Sequence, residues 1–162
     1  MISYFDSFGI KLKLIFYTFL LVIYFSFTPQ SFANDNNKNL ENVYQLLQEK
    51  NFKDGLQELK VLAEENNVEA QLLFSKILFS GDLTPQDFEA SYFWGSSALL
   101  GGLNKSNIII EKLSEYLTDD KIKKIKENLR VFLEKKALGK DKRAIIQIAK
   151  LYETFLEQPD YV

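Results

Sequence analysis

The residue types that carry most enzymatic chemistry are scarce in this chain of 162 residues. It contains no histidine and no cysteine, so neither a Ser-His-Asp triad nor a Cys-His pair can form. Zinc sites built from thiolate or imidazole are excluded for the same reason. The seven glycines form no phosphate-binding loop. Carboxylates remain, and two pairs are adjacent, Glu64–Glu65 and Asp119–Asp120.

Both carboxylate pairs favour a structural interpretation. Asp119 follows Thr118 and opens a long helical pattern, where an acidic residue stabilises the helix N-terminus. Glu64–Glu65 is expected on a solvated helix face. We therefore predict that the chain has no catalytic residues, no metal site and no cofactor, and that it is not an enzyme.

The elements that must position any functional residue are helices. From Leu40 onward, apolar residues recur at spacings of three and four, the period of an amphipathic helix. No segment shows an alternation of apolar and polar residues bounded by hairpin turns, so no strand is expected. Pro159 is expected to end the last helix. The pattern predicts an all-α fold of antiparallel helix hairpins that stack into a short α/α superhelical solenoid of about seven helices.

The N-terminus has the order of a secretory signal. Lys11 and Lys13 precede an almost unbroken apolar run over residues 14–27, and Ser31-Phe32-Ala33 is a small-x-small triplet. The run is short against the roughly 17–25 residues of a spanning helix. We predict a signal peptide over residues 1–33, cleaved after Ala33, and a periplasmic or secreted protein. The alternative is an uncleaved segment that anchors the chain in the inner membrane.

The mature chain would begin with a polar leader over residues 34–39, expected to be disordered, followed by one helical domain over residues 40–162. Its charge is uneven. Residues 34–120 carry 7 basic and 15 acidic groups, a net of −8, whereas residues 121–162 carry 11 basic and 6 acidic groups, a net of +5. With no cysteine, stability must come from packing alone.

The chain also contains a weak internal repeat. Aromatic and apolar residues recur at an offset of 36, which lies within the roughly 20–50 residue periods of helical solenoids. The aligned pairs are Phe52 with Phe88, Leu56 with Tyr92, Glu58 with Trp94, Ala63 with Leu99, and Asn66 with Gly102, and few of them are alike.

Residues 69–102 contain a characteristic order of small, turn and aromatic residues. These are Ala70, Gln71, Gly81, Pro85, Asp87, Phe88, Trp94, Ala98 and Gly102. The order resembles one full unit of the Sel-one-like repeat, a relative of the tetratricopeptide repeat. The resemblance implies a right-handed α/α superhelix whose concave face binds a peptide or protein. Leu83 and Ser91 depart from the pattern, and Ser91 is expected to loosen the closest helix contact.

The same residues have physical roles. Gly81 is expected to end its helix in a left-handed conformation, and Pro85 to lie near the first turn of the next helix. Trp94, the sole tryptophan, is expected to pack within the hairpin rather than to stack on a ligand, with Tyr92 or Phe93 facing outward. Small residues are expected where helices cross closely. These are Ala70, Ser75, Ser91 and Ala98.

We therefore expect an exported interaction module of a Gram-negative bacterium that binds another protein or a peptide. The concave face of a solenoid comes from the first helix of each hairpin. This places Gln71, Phe74, Lys76 and Leu78 among the candidate partner-binding residues. The alternatives are a regulator or accessory of a cell-envelope enzyme, and a membrane-tethered structural protein.

Other partners follow from charge. The basic segment between Lys121 and Lys136 could meet an anionic membrane surface, be a solvated helix face, or dock onto the acidic repeats of the same molecule. Nucleic acid is not expected, because no aromatic residue alternates with the lysines for base stacking. A weak homodimer through an exposed end is a further expectation.

Overall fold

The computed structural model describes residues 33–154, and within this range it contains helices and no strand. The all-α prediction and the number of helices are confirmed. Residues 35–154 belong to one compact unit. The helices are α1 (Ala33–Gln48), α2 (Phe52–Glu64), α3 (Val68–Ser80), α4 (Phe88–Leu100), α5 (Asn107–Ser114), α6 (Asp119–Leu138) and α7 (Lys142–Thr154), with a 3-10 turn at Asn104–Ser106 before α5.

The first helix begins earlier than apolar spacing predicted. Residues 34–39, expected to be a disordered leader, form the opening turns of α1. Periodicity detects a helix only where it carries an apolar stripe, and this stretch has none. The predicted signal peptide, apart from Ala33, lies outside the described residues, as does Pro159.

Four turns share one backbone conformation. Lys50, Asn66, Gly102 and Lys140 have φ values of 62°, 69°, 101° and 66°. After each, the next amide N–H returns to a carbonyl five residues back, as in Asn67 to Leu62 at 3.0 Å. This is the Schellman ending of a helix. Two of the four, Asn66 and Gly102, are a pair that the sequence offset of 36 aligned. The repeat offset therefore marks equivalent helix ends.

The turn at Lys50 joins α1 to α2, and the turns at Asn66, Gly102 and Lys140 separate the successive helix pairs α1–α2, α3–α4 and α5–α6 from one another and from α7. The α5–α6 hairpin lacks the sequence pattern of the unit at 69–102. Its first helix has eight residues and its second has twenty. Because α5 is this short, it covers only part of α4, and α7 packs against another side of α4.

Helices α3 and α4 cross through small residues. Ser75 Oγ donates to the Ser91 carbonyl and Ser91 Oγ donates to the Ser75 carbonyl, both at 2.7 Å. Both serines are fully buried. A Cβ added at Gly95 would lie 3.0 Å from Ser75 Oγ, so this contact is close. The expectation that Ser91 loosens the crossing is wrong, because its hydroxyl bonds across it.

Local signals at the helix ends were partly confirmed. Gly81 follows α3 with φ 74°, as predicted for a left-handed cap. Asp87 caps α4 through a 2.9 Å bond from the Ala90 amide. Pro85 lies near the first turn of α4, as predicted, but in the preceding loop, three residues before the helix begins at Phe88. Seven residues connect α3 to α4, and Pro85 is one of these loop residues.

Helix α4 is the centre of the compact unit. It packs against α3, α5, α6 and α7, and it contributes to every buried apolar cluster. Trp94 belongs to the cluster with α1, α2 and α3, Tyr92 to the cluster with α5, and Leu100 to the cluster with α6 and α7. Consequently, α4 connects the N-terminal hairpins with the C-terminal helices.

Candidate partner-binding cleft

An open cleft of about 700 Å³ lies beside the only tryptophan of the chain. Its floor is aromatic: Trp94 is 9% exposed, and Phe93 and Phe132 are half-buried. We call it the Trp94 cleft. Its volume is within the roughly 300–1,000 Å³ of ligand-binding pockets. The site is therefore large enough for several side chains of a peptide.

The three rings of the floor hold one another in edge-to-face contacts. The Phe93 and Trp94 centroids are 4.9 Å apart at 88°, and those of Trp94 and Phe132 are 5.7 Å apart at 83°. Such arrangements match the quadrupoles of aromatic rings. Phe74 supports Trp94 from α3 with a centroid distance of 6.0 Å. The floor is thus a preformed apolar surface contributed by α4 and α6.

The rim of the Trp94 cleft carries both signs of charge. Glu64 and Glu65, at the end of α2, lie on one side. Lys135 and Lys136, in the last turn of α6, lie on the other. Lys136 Nζ is 5.7 Å from the centroid of the Phe132 ring, a cation–π distance. An apolar floor with a mixed rim fits an apolar anchor flanked by charged residues.

Buried amides position the rim. We define the amide network as Asn66, Gln71 and Gln147, each at most 1% exposed. Gln71 Nε2 donates to Asn66 Oδ1 at 3.0 Å, and Asn66 Nδ2 donates to Gln147 Oε1 at 2.7 Å. Gln147 Nε2 in turn donates to the Ser97 carbonyl at 2.9 Å. The network therefore joins the α2–α3 turn, α3, α4 and α7.

Asp141 connects the amide network to the cleft. Asn66 Nδ2 donates to Asp141 Oδ2 at 3.1 Å, while Asp141 Oδ1 caps α7 through the Arg143 and Ala144 amides. The guanidinium of Arg143 donates to the Asn66 carbonyl at 2.6 Å. Asp141 also lines the cleft, together with Gly139. The C-terminal side of the rim is thus fixed against the α2–α3 turn.

The four candidate partner-binding residues do not share one exposed face. Gln71 is fully buried in the amide network, so its prediction as a surface residue is wrong. Leu78 is 7% exposed and packs in the core. Phe74 is half-buried beneath Trp94, and Lys76 is exposed. Gln71 was predicted to be exposed because it is polar and lies on the first helix of its hairpin. Its buried hydrogen-bond partners cannot be predicted from sequence spacing.

Three of the predicted structural residues are buried in the packed interior. Trp94 packs in the hairpin, as predicted, and also forms the cleft floor; Ala70 and Ala98 are fully buried. Between the flanking aromatics, Tyr92 is buried and Phe93 lines the cleft. Burial raises the pKa of the Tyr92 hydroxyl. Phe132 was not predicted as a site residue. Its spacing identified it only as an apolar position of α6, and nothing in the sequence indicated a contact with Trp94.

A smaller cleft of about 520 Å³ lies near the α3–α4 loop. Phe88 and Tyr116 stack there with centroids 4.7 Å apart. Lys121 Nζ is 2.7 Å from Glu89 Oε1, and this hydrogen bond lowers the pKa of the Glu89 carboxyl. One cation of the basic helix α6 thus pairs with one acidic residue of α4.

Further along α6, Arg130 is held between two carboxylates. It donates to Glu127 at 2.6 Å and also to Glu134. These bonds raise the pKa of the guanidinium, and Arg130 lowers the pKa of Glu127. Tyr152 donates its hydroxyl to Glu134 at 3.3 Å, which connects this cluster to α7. The Arg130 guanidinium is therefore bonded within α6, and Glu134 connects it to α7.

Comparison with protein-family models, with curated proteins and with solved structures finds no match to this chain. Among residues 33–154, no group of three or more acidic side chains is arranged to hold a metal ion. Within the same range, no helix has both the length and the apolar character needed to cross a membrane.

Proposed function

We propose that this chain is an exported, periplasmic interaction module of the Sel-one-like repeat type that binds a peptide or protein segment in the Trp94 cleft. The observation that carries the proposal is the aromatic floor of Phe93, Trp94 and Phe132, which lies at the base of an open cleft within a rim of both charges. Buried apolar anchors supply most of the affinity of protein interfaces. The spacing of residues 69–102 supports the repeat assignment.

Binding rather than catalysis is supported by residue chemistry. The groups around the cleft are aromatic rings, lysines and carboxylates at the rim, and the chain offers no histidine or cysteine for nucleophilic catalysis. An apolar floor contributes affinity, whereas rim charges contribute orientation and selectivity. The occupant that fits is a segment with one or two large apolar side chains, an acidic residue opposite Lys135 and a basic residue opposite Glu65.

The test begins with selection of peptides from a random display library on the full chain. Each selected peptide is then titrated against the protein, with the fluorescence of Trp94 as the signal. Because Trp94 is the only tryptophan of the chain and lines the cleft, titration of peptides that lack tryptophan reports the environment of Trp94. We expect a shift in emission on binding and selected sequences that combine an apolar anchor with charges of both signs.

Variants of the rim locate the binding. Lys135→Glu and Glu65→Lys change exposed side chains, so the fold is retained. Each is expected to weaken binding several-fold, and Lys105→Glu, an exposed lysine outside the cleft, serves as the matched control. Peptides that bind equally to all these variants, without a change in Trp94 emission, would place the binding site elsewhere.

A further inference from the structure

Helix α7 has a second face that the rest of the described chain leaves uncovered. Its buried residues, Ala144, Gln147 and Leu151, face α4 and α6. The side chains on the opposite face are all exposed. They are Lys142, Ile146, Ala149 and Glu153. At about 100° per residue, these four fall in one narrow stripe that points away from the buried face. We call it the outer stripe.

The outer stripe is complementary to itself when two copies meet head to tail. A cation begins the stripe, two apolar residues follow, and an anion ends it. We infer that the outer stripe binds the outer stripe of a second copy of this chain, with the two α7 helices antiparallel about a twofold axis. Lys142 then faces Glu153 of the partner subunit, and Ile146 faces Ala149 of the partner subunit.

The order of charges selects the antiparallel arrangement. Parallel helices would place Lys142 on Lys142 and Glu153 on Glu153 of the partner subunit, and like charges at such positions are unfavourable. The antiparallel pair forms the same two ion pairs on both sides of the twofold axis, as a self-complementary interface requires. The small side chain of Ala149 permits close approach of the two helices.

One flank of the outer stripe extends the apolar contact. Ile145 and Tyr152 are 50% and 49% exposed and lie on the same side of α7. In the antiparallel pair, Ile145 approaches Tyr152 of the partner subunit. Lys150 lies on the other flank, so the contact is centred toward Ile145 and Tyr152.

The interface is small. Thirteen residues of α7 span about 20 Å, and a single helix pair of that length buries less than the roughly 1,200 Å² of a standard interface. Association is therefore weak and depends on protein concentration. Because ion pairs lie at both ends of the outer stripe, self-association also weakens as salt is added.

Charge reversal tests the arrangement in the full chain, by sedimentation equilibrium in a mild detergent that keeps the N-terminal apolar run in solution. Lys142→Glu and Glu153→Lys each replace two attractions with two repulsions. Each is expected to weaken self-association about tenfold. The double variant restores it. An equimolar mixture of the two single variants also restores it, because each single variant is complementary to the other.

Neither substitution threatens the helix. Glutamate in the first turn and lysine in the last turn both complement the helix dipole. Lys112→Glu, an exposed lysine on α5, is the matched control and is expected to leave self-association unchanged.

Three results would overturn the inference. The first is a monomer at every concentration measured. The second is self-association that the single variants do not weaken, which would assign it to another surface such as the N-terminal apolar run. The third is a charge-dependent loss of binding to phosphatidylglycerol vesicles without self-association, which would assign α7 to a membrane surface. None of these depends on ligand binding in the Trp94 cleft.

Discussion

Replacement of Gln147 by leucine tests whether the amide network holds the C-terminal helices in place. Leucine has a similar volume, so the change removes hydrogen bonds without opening a large cavity. The bond from Asn66 Nδ2 at 2.7 Å and the bond to the Ser97 carbonyl at 2.9 Å are both lost. Asn66 keeps its bond to Asp141, and Ser97 keeps its helical bond from the Gly101 amide.

The magnitude follows from these partners. A buried hydrogen bond contributes about 1 kcal/mol net, and a buried polar group that loses a partner costs about 1–3 kcal/mol. Because Asn66 and Ser97 retain one partner each, we expect Gln147→Leu to lower the free energy of unfolding by about 2–3 kcal/mol. Gln57→Leu on the exposed face of α2 is the matched control, expected within about 0.5 kcal/mol of the wild type.

Urea denaturation, followed through Trp94 fluorescence, measures the decrease in the free energy of unfolding. If the slope of this free energy against urea concentration is unchanged, the variant exposes the same surface on unfolding as the wild type. Asn66→Gly removes a second amide of the network while keeping a residue suited to φ 69°. The double variant should lose about 1 kcal/mol less than the sum of the two single losses. A loss below about 0.5 kcal/mol for Gln147→Leu would show that apolar contacts alone hold α7, and would refute the role given to the network.

Three further changes test other contacts by urea denaturation. Gly101→Ala places a Cβ in steric overlap with Val68 Cγ1, and the overpacking should lower the free energy of unfolding by about 1–3 kcal/mol; a neutral result would mean that Val68, the first residue of α3, moves aside easily. Ser91→Ala removes the bond that the Ser91 hydroxyl donates across the α3–α4 crossing and should lower the free energy of unfolding by about 1 kcal/mol, whereas a gain would show that the crossing prefers alanine. Lys121 lowers the pKa of Glu89 below its ordinary value of 4.5, so this ion pair stabilises the fold above that pH and its contribution disappears as the pH falls through the lowered pKa. The stability difference between the wild type and Glu89→Gln should therefore be constant near neutral pH and shrink below about pH 4.5; a difference that does not change with pH would contradict this.

Local patterns predicted the elements well. Helical spacing detected every helix that carries an apolar stripe, and Gly81 was correctly placed as a left-handed cap, because these signals act within a few residues. Contacts between distant segments were not predictable. Asn66 and Gln147 are 81 positions apart, and nothing in their spacing distinguishes a buried amide from an exposed one.

The candidate site was harder to predict for the same reason. Trp94 was singled out, but the cleft also needs Phe132 and Lys136 from α6, a helix that lacks the repeat pattern. Gln71 looked like a surface residue of the first helix, and the structure uses it instead to bond the α2–α3 turn. The functional geometry therefore arises from packing between hairpins, which a pattern within one hairpin does not encode.

The amide network limits how this protein can change in length. Successive Schellman turns at Asn66, Gly102 and Lys140 divide the chain into hairpins with equivalent ends, and a duplicated hairpin could join such ends without altering the backbone at the junction. A hairpin inserted at Gly102, however, would carry Gln147 away from Asn66. The network thus requires a fixed number of helices between Asn66 and Gln147. A duplicated or deleted helix pair is compatible with the network only outside this segment.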